Sequence, residues 1–161
     1  MNLYLDASAL VKRYLSEPGT PETRRVIDAA DVQGTTVVSR AEVASALAKT
    51  VRMEVADQEE ARALLEAFRD DWPYLSQQQV TEAVIGRAER LAFEEDLRGY
   101  DAVQLASALV WKEALAEEVT FAPFDTDLWP LGRGWAARAG RLSRRPAAGV
   151  GGMERAVANV P

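Results

Sequence analysis

The chain has 161 residues, 48% of them apolar and 27% charged, a net charge of −6, and neither Cys nor His. That length suits one domain able to bury its own core, while the missing Cys excludes a disulfide framework or thiolate zinc site and suits a reducing, cytoplasmic setting. The missing His removes the imidazole base, the imidazole ligand and the Ser–His or Cys–His nucleophile pair, so carboxylates are left to carry any acid–base or metal chemistry.

Residues 2–5, NLYL, read as a short strand ending at Asp6, and SALVKRYL after it has helical spacing. EPGTPE at 17–22 breaks the pattern, and TRRVIDAA at 23–30 reads as a short second helix. Gly34 leads into TTVVS at 35–39, rich in β-branched residues, and AEVASALAKTVRM runs helically to about residue 53. DQEEARALLEAFRDD at 57–71 is an amphipathic helix stopped by Pro73. A short strand within 74–80, helices over 80–95 and from Gly99 through YDAVQLASALVWKEAL, and a strand in EVTFAPFD at 118–125 complete the alternation. This order predicts an α/β fold with a mainly parallel sheet covered on both faces. Pro130, Gly132 and Gly134 interrupt a closing helix after Trp129, and the Gly-, Ala- and Arg-rich stretch from Ser143 reads as a flexible tail. The start MNLYLDASAL has no basic leader, and no apolar run approaches the ~18 residues of a membrane span.

Four carboxylates, Asp6, Glu42, Asp101 and Asp125, stand at strand-to-helix junctions or in the first turn of a helix. In a parallel sheet such junctions share the carboxyl edge, where open α/β sheets bind ligands. Like charges gathered there raise one another's pKa unless a cation lies between them, and an all-oxygen donor set selects a hard ion, Mg²⁺ or Mn²⁺. Each acid also has a plain structural reading. Asp6 is a good N-cap, Ser39 to Glu42 spells a capping box, and Asp101 suits a helix dipole. Asp125 can initiate a turn, and Asp127 is its equal on spacing. Ser8 and Ser39 are candidates for orienting ligands as well as for capping. Lys12, Arg13, Arg40, Lys49 and Arg98 are candidates for phosphate contact or for solvated helix faces. Residues 1–132 hold 13 basic against 24 acidic side chains, whereas residues 133–161 hold 6 against 1. Any nucleic-acid contact therefore needs a local patch, a metal or the basic tail, not the field of the whole molecule.

LYLDASALVKRYL at 3–15, SRAEVASALAK at 39–49, LRGYDAVQLASAL at 97–109 and VTFAPFDTDL at 119–128 together resemble the successive acidic motifs of PIN domains, most of all the toxins of VapBC toxin–antitoxin pairs. The resemblance implies a three-layer α/β/α sandwich over residues 1–142, with 143–161 as a basic tail. It also implies Mg²⁺- or Mn²⁺-dependent endoribonuclease activity on RNA, a homodimer and inhibition by a cognate antitoxin. Asp6, Glu42 and Asp101 match the family's invariant acids, Asp125 its more variable fourth, and Ser8 the hydroxyl two residues after the first acid. Pro123 and the broken segment after Trp129 depart from the pattern and leave Asp125 and Asp127 as alternatives. Two readings compete with this one: a haloacid-dehalogenase-like phosphatase built on Asp125-Thr126-Asp127, and a non-enzymatic module whose acidic cleft receives a basic partner segment.

Overall fold

A computed structural model describes residues 1–16 and 20–122. Asp125, Asp127, the closing helix and the tail from Ser143 lie outside the described residues. Strand β1 (Asn2–Leu5) leads into α1 (Ala7–Tyr14), followed by α2 (Thr20–Asp28), β2 (Val32–Thr36), α3 (Ser39–Arg52) and α4 (Gln58–Asp71). A 3-10 turn at Trp72–Tyr74 precedes β3 (Ser76–Gln78), α5 (Glu82–Glu95), α6 (Gly99–Leu115) and β4 (Val119–Ala122). The strands pair in the order β3-β2-β1-β4 and every pairing is parallel.

β1 is the central strand and is buried on both faces, as its unbroken apolar run requires. Leu3 and Leu5 pack with Leu10, Val43, Leu47 and Phe68 of α1, α3 and α4. Tyr4 points the other way, toward Trp111 of α6 and Phe121 of β4, with ring centroids 6.2 and 5.5 Å away. Helices α5 and α6 pack on each other through Val84, Ala88, Leu91, Ala102, Leu105 and Leu109. The result is the expected three-layer α/β/α sandwich with a parallel sheet. Among the described residues no helix is long and apolar enough to cross a membrane.

Two elements differ by about three residues from their expected bounds. α2 begins at Thr20, so Pro21 sits inside its first turn, where the missing N–H has no intrahelical acceptor to lose. β2 spans Val32–Thr36, not 35–39: register with β1 pairs Asn2 with Val32 and Tyr4 with Gly34, and the Val37–Val38 pair is used in the turn into α3. Pairing stops with Thr36 opposite Gln78, the end of β3, whatever the β propensity of the two valines beyond it. Gly34 therefore lies within the strand, because Trp111 crosses directly over it. A Cβ there would stand 2.6 Å from two atoms of that ring.

Gly34→Ala should lower stability by about 1–3 kcal/mol, the ordinary cost of overpacking a filled interior. Thermal melts of the two proteins measure this, and equal melting temperatures would show that the Trp111 ring yields freely.

Candidate functional site

The first turn of α1 grows directly out of the end of β1. Asp6 is its N-cap, with extended backbone and with Oδ1 accepting from the Ala9 N–H at 2.7 Å. The Ser8 hydroxyl donates to the same oxygen at 2.8 Å. Asp6 is thus a cap and a cleft residue at once; the two readings do not compete.

Glu42 is placed by a different route than a capping box. α3 begins at Ser39 with Val38 in the cap position and no side-chain cap bond. Ser39 is fully buried, and its hydroxyl bonds Thr35 Oγ1 at 2.8 Å and accepts from Gln104 Nε2 at 3.0 Å. Glu42 Oε2 accepts from that same Gln104 nitrogen at 2.6 Å. The Ser39–Glu42 capping box is therefore not formed. The helix starts one residue too early for Ser39 to cap it, and both side chains have buried partners instead. The box that does form is Asp57–Glu60 at the start of α4.

Asp101 reaches the site from a helix that follows another helix, not a strand. α5 ends with Asp96 in the left-handed conformation, and three residues later α6 begins at Gly99 with Asp101 in its first turn. Because α6 leads into β4, and β4 is parallel to β1, the start of α6 lies at the carboxyl edge of the sheet.

Asp6, Ser8, Glu42, Asp101 and Gln104 line one open cleft of about 1100 Å³, together with Lys12, Lys49 and Arg98. Burial pushes the Asp6 carboxyl from its ordinary 3.8 up to about 6, opposed by the bonds from Ala9 and Ser8 and reinforced by the charges of Glu42 and Asp101. Glu42 is raised as well, first by desolvation and also by Asp101, while the Gln104 bond holds it down. The three acids thus sense one another, yet among the described residues no three acids form a ready-made ligand cage. Their donor chemistry nevertheless fits a hard divalent cation: ionisable oxygens in a shared, partly desolvated cleft with their charges uncompensated by one another.

Ser39 lies behind the cleft, not in its lining, and Asp125 and Asp127 fall outside the described residues. The five basic candidates separate. Lys12, Lys49 and Arg98 line the cleft. Arg13 is taken by Asp71 at 3.2 Å and Gln33 at 3.1 Å, and Arg40 lies over the Trp72 ring at 5.5 Å. Tyr4, Thr35 and Gln104 carry polar bonds behind the acids and were not singled out by sequence. Gln104 had a readable signal: one amide in the apolar run AVQLASAL, three residues after Asp101 and hence on the same helix face.

Residues 3–128 match the PIN domain family. The chain belongs to that family. Ribonuclease VapC47 of Mycobacterium tuberculosis (strain CDC 1551 / Oshkosh) is 36% identical over 123 residues, covering 74% of this chain and 83% of the relative. Ribonuclease VapC45 of the same strain and Ribonuclease VapC49 of Mycobacterium tuberculosis (strain ATCC 25618 / H37Rv) are each 34% identical over 107 residues, or 66% of this chain and 74% of the relative. The family match over residues 3–128 spans the segments that carry Asp6, Glu42 and Asp101, and by identity this PIN chain is close to proteins named VapC ribonucleases.

The raised Asp6 pKa has a stability consequence whose sign is fixed. Between pH 3.8 and about 6 the folded protein holds a proton on Asp6 that the unfolded chain has lost. Stability contributed by this group is present below 3.8 and falls as pH rises to 6, by about 3 kcal/mol in all. Melts in chelator from pH 4 to 7 should show Asp6→Asn gaining on the wild type across that window. Two parallel curves would mean that Asp6 titrates normally.

Proposed function

We propose that the protein is a Mg²⁺- or Mn²⁺-dependent endoribonuclease, the toxin of a toxin–antitoxin pair, that hydrolyses phosphodiester bonds in single-stranded or looped RNA. The observation that carries this reading is the cleft shared by Asp6, Glu42, Asp101 and three cations at the carboxyl edge of a PIN sheet. Similarity to relatives named ribonucleases supports the reaction class.

In this reading Asp6, Glu42 and Asp101 hold the cation, which when bound supplies charge neutralisation at the phosphate and a water of lowered pKa. Ser8 donates to Asp6 Oδ1 and keeps that carboxylate oriented in its ionised form. Lys12, Lys49 and Arg98 on the cleft wall draw the phosphodiester in and fix its register, which an acidic body with net charge −6 needs from a local source. Asp125, with Asp127 as its alternative, is the proposed fourth acid. The acid cleft is also where a basic antitoxin segment would act, presenting Lys or Arg in place of the cation. Homodimerisation and action in the cytoplasm complete the proposal. Family membership leaves the haloacid-dehalogenase reading without support, and activity lost in chelator and restored by Mn²⁺ separates an enzyme from a passive acidic-cleft binder.

Because the chain has no His, it lacks the usual acid–base pair for attack by the substrate's own 2′-hydroxyl. Cleavage of total RNA should therefore leave 5′-phosphate and 3′-hydroxyl ends, read by end-specific ligation; 2′,3′-cyclic phosphates would overturn the hydrolytic mechanism.

Asp101→Asn removes a charge that raises both Asp6 and Glu42. The metal-free variant should melt above the wild type. It should lose most of the stabilisation that saturating Mn²⁺ gives, about 2.7 kcal/mol at 100 times Kd for the wild type. RNA cleavage should fall by at least about 100-fold, since even outer partners of a metal ligand are worth 10–100-fold. A variant that cuts RNA normally and is stabilised normally by Mn²⁺ would return Asp101 to an ordinary helix-start charge.

A further inference from the structure

We propose that Gln104 is a positioning residue for Glu42, holding that carboxylate toward the cleft by a direct bond from its amide nitrogen, while Tyr4 and Ser39 fix which way the amide faces. The inference rests on the nuclease reading, and it concerns how the acid site is kept assembled.

Gln104 is only 3% exposed and all of its polar capacity that the chain can reach is committed. Its Nε2 donates to Glu42 Oε2 at 2.6 Å and to Ser39 Oγ at 3.0 Å, and its Oε1 accepts from the Tyr4 hydroxyl at 3.1 Å. The carboxylate can only accept, so the amide nitrogen must face Glu42 and the amide oxygen must face Tyr4. The same logic runs on. Thr35 donates to the Leu5 carbonyl at 2.7 Å, which leaves Ser39 as the donor in its 2.8 Å bond to Thr35. A single directed chain therefore joins Gln104 on α6, Ser39 and Glu42 on α3, Thr35 on β2, and Tyr4 and the Leu5 carbonyl on β1. Leu5 is bonded covalently to Asp6, and Asp101 lies one turn before Gln104. Of the three acids the amide bonds Glu42 alone, with Asp101 one turn away on its own helix.

The choice of an amide follows from charge. A Lys or Arg at 104 would neutralise Glu42 and compete with a cation in the cleft. An amide donates to one carboxylate oxygen and leaves the net charge of the acids unchanged. It also explains why Glu42 does not swing back to the α3 N-terminus: the Gln104 bond has taken it.

The test uses the full chain, dialysed against chelator and titrated with Mn²⁺ by calorimetry and by melting. Gln104→Met keeps length and volume and removes the donor; Thr35→Val breaks the same chain at the far end without touching Glu42. Gln104→Met should weaken Mn²⁺ about tenfold and lower kcat on RNA with KM little changed, as for the loss of an orienting partner of a metal ligand, whereas Thr35→Val should lose stability but keep Mn²⁺ affinity within about twofold. Equal loss in both variants would show general loosening and overturn the proposal. Gln104→Asn, whose shorter arm falls short of Glu42, replaces Gln104→Met if the latter does not fold, and failure of both to fold would make the residue structural only. A wild type that does not bind Mn²⁺ overturns the nuclease reading together with this inference. A wild type that binds, with Gln104→Met binding equally well, overturns this inference alone.

Discussion

Bringing three carboxylates to one cleft costs the fold in two ways, through lost hydration of each group and through their mutual repulsion. Both costs are visible in the raised pKa values of Asp6 and Glu42, with desolvation the larger cause in each. The surrounding structure offsets them by hydrogen bonds to the ionised forms: Ala9 N–H and Ser8 for Asp6, Gln104 for Glu42. What the bonds do not do is cancel the repulsion among the acids, which still raises Asp6 and Glu42 although Lys12, Lys49 and Arg98 line the same cleft.

The parallel sheet is what makes this gathering possible. β1 and β2 end at the same edge, so the helices leaving them begin there, and α6 begins there because it must run back to start β4. The core supports that edge from below. Tyr4 is buried among Trp111 and Phe121, yet its hydroxyl reaches Gln104, so one aromatic side chain serves the packing of one layer and the polar chain behind the acids. Burial pushes the Tyr4 phenol far above its usual range, which keeps it a neutral donor. Trp111 can lie across the sheet only because Gly34 presents no side chain at that point.

Much of this was legible in sequence because its signals are local. Alternating apolar runs gave the order of elements, and breaks at Gly99 and Pro73 marked the start of one helix and the stop of another. The acids Asp6, Glu42 and Asp101 were legible as junction residues. What failed was anything decided by partners distant in the chain. Ser39-Arg40-Ala41-Glu42 has the same spacing as Asp57-Gln58-Glu59-Glu60, but only the second forms a capping box. The difference is Gln104, 62 residues away from Glu42. Likewise Val37 and Val38 are strand formers by preference, but pairing ends with Thr36 opposite Gln78, the last residue of β3, and leaves them in the connection. Gly34 read as a strand boundary because nothing local announces Trp111.

Under the proposed reading, the proton balance of the cleft links its occupancy to pH. Asp6 with a pKa of about 6 is partly protonated near neutrality, and a ligating carboxylate must be ionised. On that reading Asp6 would have to give up its proton to hold a cation, so a rise in pH that ionises Asp6 destabilises the metal-free fold and would favour the occupied site. On that reading the same substitution would raise stability and lower function, which would distinguish these acids from ordinary caps. A cap lost is a fold weakened. A repelling carboxylate neutralised is a fold relieved and a binding site removed, and the two directions of change separate the roles that Asp6 combines in one side chain.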